Sequence, residues 1–499
     1  MKPPPLDEPA DAPLQKFWWL KRLSLLGATL ILLIFLSRAW MIHSENRRLN
    51  AEIERWKQAG LPILPGDFET PPVPDDQNAA VAISLAAMAV VENKEWLDTW
   101  EELEQVPLSA NARRVADEML VANAQAIKGL RRARNLTQVK WQRVKFEDIL
   151  SGSTLDYHQA NYNKLYSLTR VSKYTAIGAL DRGNDAGFIE ALADVHFISR
   201  TLAQDLNASS YGYAVGIERI ATDLAARWVA ALKLSGTDGF AARTRLTWLI
   251  HEWTEDDGGS RVQSILACEA EYAIESTQAT VPPKNFRFRN LKIEQIPTGI
   301  LDRALWRFFL PQRFRTVSDN LVEFRSEIEK VRGLNLSAMG NFRPSAPQSH
   351  LTTVEPLDSI IEAIVPTPND YSTYFRGLFR GLLTRRLAAT SMAWRLYAID
   401  HDGNGPATLK ELVPKYLPAV PLDPFSPSGA IIQYVHGTGE NGTFVYGLNE
   451  WGIDAIANGT FKPKLKDHMK WHTKCIVTFF DPNPLAPATQ PASTQPLNQ

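Results

Sequence analysis

The sequence predicts a mainly α-helical protein with an N-terminal transmembrane helix, an α-helical hairpin domain and a small C-terminal α+β module. Three observations lead there. Phe17–Met41 is an apolar stretch near the start of the chain. From Asn78 to about Gly340, apolar residues recur at the three- and four-residue spacing of helices with one buried face. Beyond Pro406, prolines and glycines separate short runs rich in β-branched and aromatic residues.

A helix that crosses about 30 Å of hydrocarbon needs about 20 mostly apolar residues. The charge-free run Leu23–Ser37 is shorter than that. Snorkelling of Lys21, Arg22 and Arg38 completes the span, with Phe17, Trp18, Trp19 and Trp40 at the two interfaces. Residues 17–42 are therefore read as an anchor behind a short tail, 1–16. A cleaved signal peptide is the competing reading, with Ser37 and Ala39 as its small-x-small site. The long leader and the aromatics at both ends speak against it. Lys2, Lys16, Lys21 and Arg22 stand before or at the start of the span, and Arg38, Arg47, Arg48, Arg55 and Lys57 follow it. Charge therefore does not orient the helix, but large downstream domains translocate largely regardless of such charges.

Composition narrows the function classes. Hydrophobic residues make up 44% and charged residues 22% of the chain, ordinary for a protein able to bury a core. A net charge of −1 leaves no electrostatic footprint for nucleic acid. Two cysteines, Cys268 and Cys475, are too few for a disulfide framework. One bridge or two separate buried thiols are both open.

Residues 43–60 continue the membrane helix outwards, with Leu49, Ile53 and Trp56 on one face. Residues 61–77 hold five prolines and read as a semi-rigid spacer. The α-helical domain follows over 78–340. One of its helices keeps Phe188, Leu192, Val195, Leu202 and Leu206 on a face; the next does so with Ile217, Ile220, Leu224 and Trp228. Gly183-Asn184-Asp185 and Asn207–Ser210 are the joints, giving stacked hairpins without a clean repeat period. Phe286–Arg315 interleaves aromatics with arginine and lysine, a pattern of helix packing or of contact with a membrane surface. A second linker spans 341–370, a helix plus the α+β module spans 371–480, and 481–499 is a disordered tail.

Within that module, Pro406-x-Thr408-Leu409-x-x-Leu412-Val413-Pro414-x-Tyr416-Leu417 brackets a short helix, and Val420-Pro421-x-Asp423-Pro424-Phe425 makes an extended crossing. Ile431–Val435 and Phe444–Leu448 read as strands around a Gly/Asn turn. Residues Leu387–Thr460 resemble the C-terminal part of type II secretion major pseudopilins. Residues 1–41 lack that family's prepilin-peptidase site and N-terminal helix. Anchor, a linker ending Asp75-Asp76-Gln77-Asn78-Ala79-Ala80, helical domain and this module together resemble membrane-anchored proteins of planctomycete-type bacteria. The resemblance implies a bacterial inner-membrane, single-pass protein with its C-terminal domain extracytoplasmic. It implies no activity.

Asp400-His401-Asp402-Gly403-Asn404-Gly405 with Glu411 fits the EF-hand template, with Asp400, Asp402, Asn404 and Glu411 supplying oxygens for calcium. A capped polar turn explains the same residues. Major pseudopilins carry calcium in C-terminal loops, and Asn449, Glu450 and Asp454 are a weaker set for it. Gly437-x-Gly439-x-x-Gly442 matches a phosphate-binding fingerprint, yet strands on both sides make it a hairpin turn. His251-Glu252-Trp253-Thr254-Glu255 lacks the second histidine of a zinc-protease helix and reads as a solvated helix end running into Asp256 and Asp257. His468-x-x-x-His472-x-x-Cys475 lacks a fourth metal ligand. No Gly-x-Ser-x-Gly elbow occurs.

With no catalytic motif in its proper context, the expectation is a non-catalytic scaffold or interaction protein at the envelope, its partners membrane lipid and another protein. A calcium-dependent sensor built on residues 400–411 and an envelope hydrolase using Glu252–Asp257 are the alternatives.

Overall fold

A computed structural model describes residues 18–68, 71–99, 101–142, 153–205, 208–235, 237–255, most of 263–274, 310–333, 371–426, 430–436, 443–448 and 475–480. The described chain is mainly helical, with one small sheet. Phe286–Phe309, residues 341–370 and the motifs at 437–442, 449–454 and 468–472 lie outside the described residues, as do Leu206, Asp256 and Asp257.

Helix α1, Trp18–Gln58, is long and apolar enough near its N-terminal end to cross a membrane. It runs on without a break into the segment after the span and stops where Gly60 takes φ 66°, a conformation glycine adopts at no steric cost. Apolar side chains of its first half, such as Leu25 and Phe35, are exposed. In the second half Leu49, Glu52 and Trp56 are buried on one face, against the helix Leu310–Gly333. Trp56 Nε1–H donates to the Leu321 carbonyl at 3.0 Å. The Glu52 carboxylate is held by Arg325 at 2.9 Å and by Arg55 at 2.7 Å. A buried carboxylate needs such partners, since burial opposes its charge. The expected spacer then begins as packed structure. Leu61 and Ile63 are buried, and Asp67 Oδ2 accepts the Ile63 and Leu64 N–H groups at 2.9 Å each.

Five helices build one side of the body. Helix α2 is Ala79–Met88, α3 Lys94–Asp98, α4 Ala110–Ala122, α5 Ala124–Ala133 and α6 Ser153–Asp181. Asn78 caps α2 by accepting the Ala80 N–H and exchanges hydrogen bonds with Lys140, so the Asp75–Ala80 stretch fastens two chain segments. Asn123 is fully buried at the joint of α4 and α5, where it accepts the Val91 N–H at 2.8 Å.

Helix α7, Asp185–Leu202, is the centre. It forms a hairpin with α6 through a turn in which Gly183 takes φ 68° and Asn184 accepts the Gly187 N–H at 2.8 Å. Its neighbours are α6, α8 (Ala208–Trp228) and α9 (Thr237–Thr254). Phe188, Leu192, Val195 and Leu202 are fully buried as the periodicity predicts, but so are Ile189, Ala193 and Ile198 on other faces. A helix apolar nearly all round is one enclosed by its neighbours.

Helix α10 is Leu310–Gly333, and α11, Tyr371–Asp400, lies across α8 and α9. Arg395 clamps it there, its Nε–H donating to the Leu232 carbonyl at 2.7 Å. The chain then turns through a short 3-10 helix, Leu409–Leu412, into an antiparallel sheet β1-β2-β3 (Gln433–Val435, Thr443–Leu448, Cys475–Phe480). Phe425 and Val445 are buried against this end of the core. Arg386 reaches from α11 to the Leu422 carbonyl at 2.7 Å, tying the extended crossing to the helix.

Replacing Trp56 by alanine removes a fully buried indole and should cost about 3–5 kcal/mol at that joint. Hydrogen exchange of amides 317–328 should speed up while those of α7 keep their protection; unchanged exchange in α10 would contradict the packing.

Candidate functional site

Because α7 is enclosed, any ionisable side chain on it must find its partner inside the body. It carries two within one turn. Asp194 points to α5, where Arg134 Nη1 lies at 2.6 Å and Arg131 Nε at 3.2 Å. Glu190 joins them, accepting from Arg134 at 3.0 Å and from Arg245 of α9 at 3.0 Å. This network is satisfied and binds three helices together.

His196 faces the other way. Its Nδ1 lies 2.9 Å from Glu218 Oε1 of α8 and 2.9 Å from Trp253 Nε1 of α9. One nitrogen cannot both donate to the carboxylate and accept from the indole. The carboxylate decides: Nδ1 holds a proton and donates it to Glu218. The indole stands edge-on to the imidazole at 83°, with centroids 5.8 Å apart. Burial opposes a charge on either group, but each is outweighed by the other. Glu218 holds the His196 pKa above its usual value, and His196 holds Glu218 below the ordinary carboxylate range. Nε2 is buried with no hydrogen-bond partner among the described residues. Glu252 Oε2 is 3.9 Å from it, and Arg200, one helical turn along α7, is bonded to that carboxylate.

These groups line a cavity of about 300 Å³ between α7, α8, α9 and α11. The helix α11 brings Leu378, Gly381, Leu382 and Arg385, spaced to fall on one face. Charged groups of α7, α8 and α9 and Arg385 of α11 thus share the lining with aliphatic side chains of α8 and α11, the mixed composition of a small-molecule site.

One corner of this site is marked in the sequence by His251–Glu255. The His251–Glu255 stretch was expected to be a solvated helix end; instead Trp253 is fully buried and Glu252 faces the cavity, while His251 and Glu255 are exposed. The histidine near Glu252 comes from α7, not from the same helix. His196 and Glu218 carry no local sequence signal of their pairing, which spans 22 residues, and Arg385 joins them from α11. The available signal was the lone His within the apolar run Phe188–Leu202.

Of the residues expected for calcium, Asp400 and Glu411 meet donors of the chain. Asp400 accepts from Arg243 at 2.7 Å, Lys415 at 2.8 Å and Tyr416 at 2.7 Å. Partial burial would raise its pKa, but these three donors hold it well below the carboxylate range. Glu411 closes a capping box with Thr408 and accepts the Tyr397 hydroxyl at 3.0 Å. Asp402 and Asn404 are exposed, Asp402 with φ 55°. The carboxylates at the first and last template positions are thus engaged by donors of the chain itself, and the loop is a locked corner between α11 and the 3-10 helix. Cys268 is buried.

Compared with family models, with curated proteins and with solved structures, the chain finds no match.

The His196–Glu218 pair makes stability depend on pH. A histidine whose folded pKa is raised stabilises fully below its ordinary 6.5, and loses that contribution as pH rises through the folded value. Glu218, lowered from 4.5, contributes above that pH and loses it as pH falls through the folded value. Urea midpoints should therefore fall from mildly acidic to alkaline pH, and His196→Gln should flatten that slope. Asp400→Asn should cost about 1–2 kcal/mol, the worth of charge-assisted bonds to partly exposed partners. Millimolar calcium should leave the wild-type melting temperature unchanged; a rise would favour the sensor reading.

Proposed function

We propose that the protein is a membrane-anchored, non-catalytic interaction protein of a bacterial envelope, with a helical body held outside the cytoplasm. The observation that carries this is the continuity of α1. One helix runs from the apolar stretch to the docked Glu52 and Trp56, so the body's orientation follows the anchor's rather than hanging from a flexible leash. A cleaved signal peptide would have no need of an unbroken helix into a packed joint. The C-terminal arrangement, a long helix followed by a capped 3-10 turn, an extended crossing and an antiparallel sheet, supports a pseudopilin-like module and through it an extracytoplasmic side. A protein partner at the envelope then meets the body rather than the membrane helix.

The second reading, an envelope hydrolase, gains one specific observation: Glu252 stands beside His196 in the cavity. A hydrolytic dyad also needs a nucleophile, and among the described residues no hydroxyl or thiol hydrogen-bonds Nε2. Interaction is therefore the reading preferred.

Expressed in a bacterial inner membrane, the full chain should stay in the membrane pellet at high salt and alkaline pH, and protease added outside the cytoplasm should digest the body. Recovery of a mature chain starting near residue 40 in the soluble fraction would overturn the anchor, and protection of the body would reverse its side.

A further inference from the structure

The cavity beside His196 offers a chemistry that anchoring and presentation do not require. We propose that it binds a small organic monocarboxylate, an acid group on a short apolar body, whose carboxylate accepts a hydrogen bond from His196 Nε2–H.

The donor is the first reason. Glu218 favours the doubly protonated imidazolium, so with Nδ1–H committed to that carboxylate at 2.9 Å the second ring proton sits on Nε2, which is buried beside the cavity with no hydrogen-bond partner among the described residues. A buried donor left unmade is costly, and a carboxylate oxygen satisfies it with a charge-assisted bond. Glu252 Oε2 is an ion-pair neighbour at 3.9 Å, and His196 holds the Glu252 pKa below the ordinary range, but that oxygen lies beyond hydrogen-bond distance and is bonded to Arg200.

Charge is the second. Arg385 lines the same cavity, and its positive field reaches both His196 and Glu218. An ammonium group would set its protons against the imidazolium and the guanidinium. Carboxylates limit the ligand from the other side. Glu252 and Glu255 also line the cavity, so a dianion such as phosphate meets repulsion that a single negative charge largely escapes.

The apolar wall is the third. Leu378 and Leu382 of α11 and Val215 of α8 give a hydrocarbon or aromatic body a surface to cover. A volume of about 300 Å³ suits a ligand of modest size.

The test uses the full chain in nanodiscs, titrated calorimetrically with benzoate, benzylamine and inorganic phosphate. Benzoate should bind saturably, and benzylamine and phosphate should not. Two variants locate the site. His196→Gln removes the imidazolium donor. Gly381→Met fills the cavity from α11, where a new Cβ would meet Val215 Cγ1 at an ordinary 3.6 Å, so the helix accepts it. Each variant should weaken benzoate by about tenfold or more, with Gly381→Met melting no lower than wild type. Nitrogen NMR adds a direct readout, since benzoate should shift the His196 Nε2–H resonance. Absence of saturable benzoate heat, equal affinity in Gly381→Met, or tighter binding of benzylamine would each overturn the proposal.

Discussion

The burial of α7 on nearly every side is the constraint from which most of the body follows. A helix so enclosed gains hydrophobic free energy around most of its circumference, but its buried positions tolerate an ionisable group only where a partner is brought to it. Asp194 and His196 lie two residues apart and so point to different sides. One draws Arg131 and Arg134 from α5; the other draws Glu218 from α8 and Trp253 from α9. These contacts fix how α7 is turned towards α5, α8 and α9. Buried ion pairs add little net stability once desolvation is counted, but breaking one leaves a charge stranded. Their role here is to specify the arrangement.

The two sides of α7 differ in one respect that matters for function. The Asp194 side is closed, every carboxylate oxygen meeting an arginine. On the His196 side the packing stops short, because α11 passes with Gly381 where a larger residue would have filled the space. The same geometry that satisfies Nδ1 leaves Nε2 buried beside the cavity without a hydrogen bond among the described residues. The result is a cavity at a helix crossing, with one satisfied pair and one ring nitrogen left without a hydrogen bond among the described residues.

Anchor and body are joined by the same kind of contact. Glu52 lies between Arg55 and Arg325, and Trp56 bonds a carbonyl of α10. An amphipathic continuation of a membrane helix needs a partner for its apolar seam, and α10 supplies it. The periodicity of Leu49, Ile53 and Trp56 made that seam legible from the chain alone, although not what it would pack on.

Local pattern explains what could be read without coordinates. The apolar N-terminal helix, the turn at Gly183-Asn184, the face carried by Phe188, Leu192 and Val195, and the strand pair after Pro421 depend on neighbours in sequence. Spacing and turn chemistry therefore determined them. The site depends on pairs far apart, and only tertiary packing decided it. His196 meets a carboxylate 22 residues on and an indole 57 residues on, distances at which no helical period carries information. The loop at Asp400 shows the reverse case. Its spacing matched a calcium template, but Arg243, 157 residues away, and Lys415 brought positive charge to the first oxygen. A carboxylate's chemistry is set by the charges around it, and those are chosen by the fold.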